Sequence, residues 1–157
     1  MIEISNLRKV FDNNFEALKS VSFSIEKGDL VCLLGPSGCG KTTILNLIAG
    51  LLDPTDGDIK YNGVSMVDKH PKDRDIGFVF QNYALYPHMS VLDNVMFPLR
   101  VGQKKIPKVE AEAIAREFMK LTDISELENK KPATMSGGQQ QRVAITRALV
   151  QNPKILL

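Results

Sequence analysis

The chain has 157 residues, which is the size of one ordinary domain. Its 43% hydrophobic and 24% charged residues are typical of a globular protein and exclude disorder, collagen and coiled coil. Twenty Lys and Arg residues against eighteen Asp and Glu residues leave a net charge of only +2, spread along the sequence. This balance argues against a nucleic-acid-binding surface, so any anionic ligand must be bound locally.

No apolar run approaches the roughly 20 residues that span a bilayer, and residues 1–4 lack the layout of a signal peptide. We therefore expect a soluble chain that stays in the cytoplasm. Cys32 and Cys39 have no partner at a zinc-ligand spacing. Free thiols in a reducing compartment are the expectation.

The first half of the chain predicts strands followed by a helix. Alternating apolar residues indicate strands at 1–7, 17–25 and 58–61. Residues 30–34 are apolar throughout and run into a glycine-rich loop, which is typical of a buried parallel strand. Residues 42–51 carry apolar side chains at helical spacing and predict a helix.

The second half predicts another apolar strand and three helices. The strand covers residues 76–80 and ends at Gln81. The helices begin near Ser90, which has an acidic residue three positions on, near Pro107, and at Ser136. Residues 154–157 begin one more apolar strand, which we expect to lie beside the strand at 30–34.

Residues 35–42 read Gly-Pro-Ser-Gly-Cys-Gly-Lys-Thr and match the phosphate-binding motif G-x-x-x-x-G-K-[ST] in full. Glycines allow successive backbone N–H groups to turn inward around phosphate oxygens at the positive end of the following helix. Lys41 supplies a charge for the β- and γ-phosphates, and the Thr42 hydroxyl is placed to ligate Mg²⁺. The alternative is a glycine-rich turn that only caps the helix. The residues expected to contact nucleotide are Gly35, Ser37, Gly38, Cys39, Gly40, Lys41, Thr42 and Thr43.

Cys39 is open to two interpretations. Its place beside Lys41 at a helix amino terminus could favour the thiolate. The other interpretation is a small side chain at a position that the motif leaves free.

The last helix begins with the run Met-Ser-Gly-Gly-Gln at 135–139, which we name the signature segment. Ser136 and Gln139 form a capping box, and taken alone this feature is structural. Two glycines in the first helical turn cost roughly 1 kcal/mol each relative to alanine, so something must approach the backbone closely. A second phosphate-binding helix start is the natural candidate.

The phosphate-binding loop, Gln81 and the signature segment occur in this order, and the sequence resembles the nucleotide-binding subunits of ATP-binding cassette (ABC) transporters over essentially its whole length. The resemblance implies an α/β P-loop NTPase fold with a mixed sheet core, an amino-terminal antiparallel β-subdomain and a helical subdomain. It implies one ATPase domain over 1–157, divided at 1–81, 82–135 and 136–157. ATP and Mg²⁺ are the implied cofactors.

The resemblance also implies roles for single residues. Lys41 and Gln81 are the implied catalytic residues, and Gln81 meets Mg²⁺ and the attacking water. Phe11 matches the aromatic residue that stacks on adenine, although a lone aromatic near a strand end is as often core. The residues implied to bind the γ-phosphate of ATP on an opposite subunit, in a head-to-tail homodimer or a pair of ATPase subunits, are Ser136, Gly137, Gly138 and Gln139. Met135 replaces the leucine that is usual in this family.

Residues 71–91 are similar to importer ATPases that serve carbohydrate permeases, and nearly as well to those of polyamine permeases. This likeness implies uptake of a small solute and a location on the inner face of the cell membrane. Permease subunits would contact the surface around residues 83–91. The apolar side chains of this stretch, such as Tyr83 and Leu85, could instead be ordinary core.

In the family pattern, a strand after Pro153 ends in Asp-Glu and a catalytic histidine follows, whereas this sequence reaches Leu157 before that pair. His70 and His88 lie upstream of the signature segment and are not that histidine. We therefore expect a fragment that is incomplete at its carboxyl end and does not hydrolyse ATP by itself. The rival functions are a soluble ABC ATPase that acts on DNA or ribosomes, and a P-loop kinase, which leaves the signature segment unexplained.

Overall fold

The computed structural model describes residues 1–101 and 105–157. The chain divides into two compact units, Met1–Asp75 and Ile76–Leu157. The finer division at residues 81 and 135 stays a prediction. No helix in the described part of the chain is both long enough and apolar enough to cross a membrane.

The first unit contains a four-stranded antiparallel sheet in the order β2-β1-β3-β4. Its strands are β1 (Ile2–Val10), β2 (Glu16–Ile25), β3 (Asp56–Tyr61) and β4 (Val64–Ser65). The predicted strands at 1–7, 17–25 and 58–61 are confirmed, as is the antiparallel amino-terminal subdomain.

Strand β1 lies between β2 and β3 and supplies the centre of the buried face. Ile4 pairs with Phe23 on one side and with Ile59 on the other. An irregularity follows at Asn6, whose φ is 49°. Because the extra residue shifts the alternation of side chains, Leu7 faces inward and is fully buried although Ile4 is three positions away.

Helix α1 (Lys41–Ala49) confirms the predicted helix and ends at Gly50, which adopts a left-handed conformation with φ 74°. Buried Arg74 donates from Nη1 to the carbonyl oxygens of Leu47 at 2.8 Å and Ile48 at 2.9 Å. The Tyr61 hydroxyl also donates to the Ile48 carbonyl, at 2.6 Å. Burial raises the pKa of Tyr61 to about 12, so this hydroxyl remains a donor at neutral pH.

The predicted parallel strand at residues 30–34 is wrong. These residues belong to neither sheet, and the side chains of Leu30 and Leu34 are 100% and 87% exposed. A strand with two apolar faces is stable only where neighbouring strands satisfy its backbone groups, and none of the described strands pairs with it. The strand expected to lie beside it, at 154–157, pairs with residues 76–77 instead.

The second unit has a small parallel sheet of β5 (Ile76–Gly77) and β6 (Ile155–Leu156). The predicted strand at 76–80 is therefore shorter than expected. The Val79 N–H still donates to the Leu157 carbonyl at 2.8 Å, so the pairing direction continues past β5.

The described residues of the second unit also form the helices α2 (Val91–Arg100), α3 (Lys108–Leu121) and α4 (Gly137–Leu149). Single turns of 3-10 helix lie at Ser125–Leu127 and Pro132–Thr134, and one in the first unit lies at Pro71–Asp73. The helices enclose one apolar core, which includes Val95, Met119 and Val143. All three predicted helices are confirmed, together with their predicted caps at Ser90 and Ser136.

Candidate functional site

The phosphate-binding motif forms an exposed loop that leads into α1. Gly40 precedes the helix with φ 96°, and a Cβ atom there would lie 2.8 Å from Leu18 Cδ2 and 2.9 Å from the Ala17 carbonyl oxygen. Gly38 also has a positive φ, of 80°. A side chain at position 40 would therefore meet both a steric and a backbone barrier.

The Lys41 side chain folds back over this loop. Its Nζ donates to the carbonyl oxygens of Gly35 and Pro36, at 2.7 Å each, and lies 3.5 Å from Cys39 Sγ. The ammonium group is thus held above the loop by backbone oxygens, which are partners that a phosphate oxygen can replace.

The amino end of α1 is suited to bind an anion. Within the described residues, its first turn contains no acidic side chain, and Gly40 supplies no side-chain cap. The first N–H groups of a helix have no partner inside the helix and lie at the positive end of its dipole. Together with Lys41, they make a locally positive cradle without a large net charge on the chain.

Thr42 is the residue that the sequence predicts to ligate Mg²⁺, and this role stays a prediction. Its side chain is exposed on the second residue of α1. The described residues contain no cluster of three His, Cys, Asp or Glu side chains that could hold a metal by themselves. A cation at Thr42 would therefore depend on phosphate oxygens and water for its other ligands, which is the manner in which Mg²⁺ binds with nucleotides.

Phe11 follows β1 in the same unit and is half-buried. The Lys9 ammonium lies 5.4 Å from the centre of its ring, and the Phe11 carbonyl accepts from the Asn14 N–H at 2.9 Å. The ring is therefore partly open to a second stacking partner. Its contact with adenine stays a prediction.

Gln81 lies in the second unit, is exposed, and is followed by an unusual backbone segment. Tyr83 and Ala84 have φ angles of 62° and 45°. The Arg147 guanidinium, from α4, donates from Nη2 to the Tyr83 carbonyl at 2.8 Å and from Nη1 to the Ala84 carbonyl at 2.7 Å. The same guanidinium lies 5.6 Å from the ring centre of Tyr86, and its burial lowers the pKa of Arg147.

A second side chain holds the continuation of this segment. Asn94 of α2 is fully buried, and its Oδ1 accepts from the Tyr86 N–H at 2.8 Å. Its Nδ2 donates to the carbonyl oxygens of Tyr86 at 3.1 Å and Ser90 at 2.9 Å. Leu85 lies between the residues held by Arg147 and by Asn94, and it packs against the helical core. This agrees with the alternative interpretation of Leu85 as a core residue.

Sequence reasoning missed Arg147 and Asn94. The available signal was helical spacing: Arg147 lies four residues after Val143 and three before Val150, both of which are buried. A charged residue in such a series indicates a buried partner, but the pattern does not identify that partner.

The signature segment begins α4 as predicted. Ser136 Oγ accepts from the Gln139 N–H at 3.3 Å, and Gln139 Oε1 accepts from the Ser136 N–H at 3.1 Å. Gly137 and Gly138 are exposed, and a Cβ atom at either position would meet no other described heavy atom within 4 Å beyond the adjacent residues and the backbone of its own helix. Packing inside this chain therefore does not explain the two glycines.

Comparisons with known proteins identify the family and its fold. The family model described as "ABC transporter" matches residues 18–157. Two solved dimeric structures of the bacterial ABC transporter cassette MJ0796, the second in a post-hydrolysis state bound to ADP and Pi, superpose with TM-scores of 0.89 and 0.87. Both are 38% identical to this chain and cover 99% of it, and the match spans 72% of each solved chain.

The curated relatives are import ATP-binding proteins. The chain is 46% identical to the sn-glycerol-3-phosphate protein UgpC of Psychromonas ingrahamii, 49% to the spermidine/putrescine protein PotA of Roseobacter denitrificans, and 48% to the sulfate/thiosulfate protein CysA of Neisseria meningitidis. Each match covers 99% of this chain but only 41%, 42% and 44% of the respective relative. The chain thus spans less than half the length of these relatives.

Proposed function

The chain belongs to the ABC transporter family, and from this membership we propose that it is the ATP-binding part of an importer ATPase. In this proposal, the binding and hydrolysis of MgATP are coupled to the uptake of a small solute through separate membrane permeases. The observation that carries the proposal is the loop at 35–42, where a positive helix end and the Lys41 ammonium converge on one exposed cradle.

In this proposal, different residues of the chain contact different parts of the nucleotide. Lys41 exchanges its two carbonyl partners for β- and γ-phosphate oxygens, and the loop N–H groups orient the phosphates. Thr42 supplies a hydroxyl ligand, while Gln81 contributes to the metal site and orients the attacking water. When bound, Mg²⁺ neutralises charge on the phosphate oxygens. Phe11 stacks on adenine beside the Lys9 ammonium.

A second ATPase subunit, identical or paired, would complete the site in a head-to-tail dimer. The signature segment then closes on the γ-phosphate bound to the loop of the opposite subunit. The unobstructed space over Gly137 and Gly138 supports this role, because a phosphate group can reach the backbone there. The solved MJ0796 cassette is itself dimeric.

The proposed place of the chain is the inner face of the cell membrane, in contact with permease subunits through residues 83–91. Part of this segment is exposed, and Arg147 and Asn94 hold its backbone in one conformation. The relatives named above import an organic phosphate, polyamines and sulfate or thiosulfate. Residues 71–91 favour a carbohydrate or a polyamine among small solutes.

The test of the nucleotide site is Lys41→Ala in the native protein. We expect most of the MgATP affinity and all ATP turnover to be lost, because the substitution removes the ammonium group of the cradle. Lys19→Ala, on an exposed part of β2, is the matched control and should keep both. Equilibrium binding of a fluorescent ATP analogue and phosphate release measure the two quantities. Turnover near the wild-type rate in Lys41→Ala would contradict the proposal.

A further inference from the structure

The backbone that follows Gln81 takes a conformation that its own sequence disfavours. Tyr83 and Ala84 are consecutive, neither is glycine, and their φ angles are 62° and 45°. In this left-handed region the Cβ atom crowds the backbone, so L-residues with side chains populate it sparsely. The segment therefore needs compensating contacts from outside itself.

Arg147 supplies those contacts in a way that few side chains can. Its two terminal nitrogens donate to two successive carbonyl oxygens, those of Tyr83 and Ala84, at 2.8 Å and 2.7 Å. A planar guanidinium presents such paired donors in a fixed fork, whereas a lysine ammonium is a single point charge. The two carbonyls are thus held in the orientation that the left-handed turn gives them.

The chain is also fixed immediately after this turn. Asn94 accepts from the Tyr86 N–H and donates to the Tyr86 carbonyl, and the Tyr86 ring faces the Arg147 guanidinium. Arg147 belongs to α4 and Asn94 to α2, and these two helices contribute to one apolar core. The segment 83–86 is therefore attached to two packed helices, although it has no regular secondary structure.

We propose that Arg147 is a positioning residue for Gln81: by holding the turn at 83–84, it fixes the point from which the Gln81 side chain projects. Gln81 itself is exposed, and only two residues separate it from Ala84. Rotation about the backbone of Tyr83 or Ala84 would redirect it. The proposal rests on the proposed function, in which Gln81 orients the attacking water.

The primary test is Arg147→Met in the native protein, with ATP turnover and ATP binding measured separately. Methionine keeps an apolar side chain of similar length but donates no hydrogen bond. We expect kcat to fall by about tenfold or more, whereas the dissociation constant for ATP changes by less than about twofold, because the lost contact acts on the hydrolytic step. Arg116→Met is the matched control, since Arg116 is exposed on α3, and both values should remain at wild type.

Rescue provides a readout that a general loss of stability would not give. Glycine adopts positive φ without steric cost, so Ala84→Gly added to Arg147→Met should recover part of the lost kcat. Ala133→Gly, at an exposed position before the signature segment, should recover none. Arg147→Lys keeps the charge without the fork and should give an intermediate kcat.

Two results would overturn the positioning role. One is an unchanged kcat in Arg147→Met. The other is a parallel loss of kcat, ATP affinity and melting temperature without rescue by Ala84→Gly, which would make Arg147 a purely structural residue. These results differ from failure of the proposed function, in which the wild-type protein itself shows no Lys41-dependent ATP turnover.

Discussion

At the scale of single residues, Arg74 ties the end of α1 to the loop that follows β4 in the first unit. The residue is 3% exposed, and its guanidinium donates to the carbonyl oxygens of Leu47, Ile48 and Lys69 at 2.8, 2.9 and 3.0 Å. The last carbonyls of a helix have no partner inside the helix, and they lie at the negative end of its dipole. A buried cation at that end donates hydrogen bonds to the carbonyls and interacts favourably with the helix dipole.

We predict that Arg74→Met lowers the free energy of unfolding by about 2–4 kcal/mol, because it removes the charged donor of hydrogen bonds to three carbonyl oxygens at a buried position. Lys72→Met, two residues earlier on an exposed position, is the control and should change it by less than about 0.5 kcal/mol. Urea titrations followed by circular dichroism measure both values. Equal stabilities of the two variants would show that water replaces the guanidinium at no cost.

At the scale of elements, the success of each sequence prediction depended on where its stabilising contacts lie. The helices that begin near Ser90 and Ser136 were predicted because their caps are local: the cap hydroxyl meets an N–H three residues on. The prediction of a strand at 30–34 was wrong. A strand that is apolar on both faces needs partner strands that are distant in sequence, and its own sequence does not specify them.

The turn at Tyr83 and Ala84 is the clearest feature that the sequence could not predict. Neither residue favours positive φ, and the contacts that hold the turn come from Arg147, 63 and 64 residues away. The candidate functional residues of the two units therefore depend on two kinds of feature. The phosphate-binding loop is encoded locally by its glycines, whereas the geometry after Gln81 depends on the tertiary fold.

Helix α4 provides the prediction at this scale. Its first turn presents Gly138 to open space, so we predict that Gly138→Asp abolishes ATP-dependent dimerisation, because a carboxylate there repels the γ-phosphate of the opposite subunit. Binding of ATP to the monomer should remain nearly intact, since Gly138 lies outside the loop at 35–42. Light scattering of the native protein with a non-hydrolysable ATP analogue measures the dimer fraction.

The control for this variant is Ala113→Asp, which places the same charge on an exposed position of α3. Its dimer fraction should equal that of the wild type. A wild-type dimer fraction in Gly138→Asp would count against contact between the signature segment and a neighbouring subunit, while leaving the nucleotide site of the single chain unaffected.

At the scale of the whole molecule, the exposed apolar side chains are unevenly distributed. Leu30, Val31 and Leu34 are 100%, 48% and 87% exposed within five residues of sequence. These residues belong to neither sheet in the part of the chain that the structure describes, so the segment combines apolar surface with backbone groups available for pairing. Single exposed apolar residues are ordinary, but such a cluster favours association.

We therefore predict that the 157-residue chain by itself self-associates through residues 30–34. The double variant Leu30→Lys and Leu34→Lys should shift it toward monomer, because charges oppose both burial of the cluster and its pairing with another strand. The matched control is Val109→Lys with Leu121→Lys, which replaces two residues of α3 that are 82% and 74% exposed but lie far apart along the helix. Sedimentation over a range of concentrations distinguishes the variants. A chain that remains a 17.4 kDa monomer throughout would show that this apolar segment is covered in solution, and equal effects of both double variants would assign the association to exposed apolar area in general.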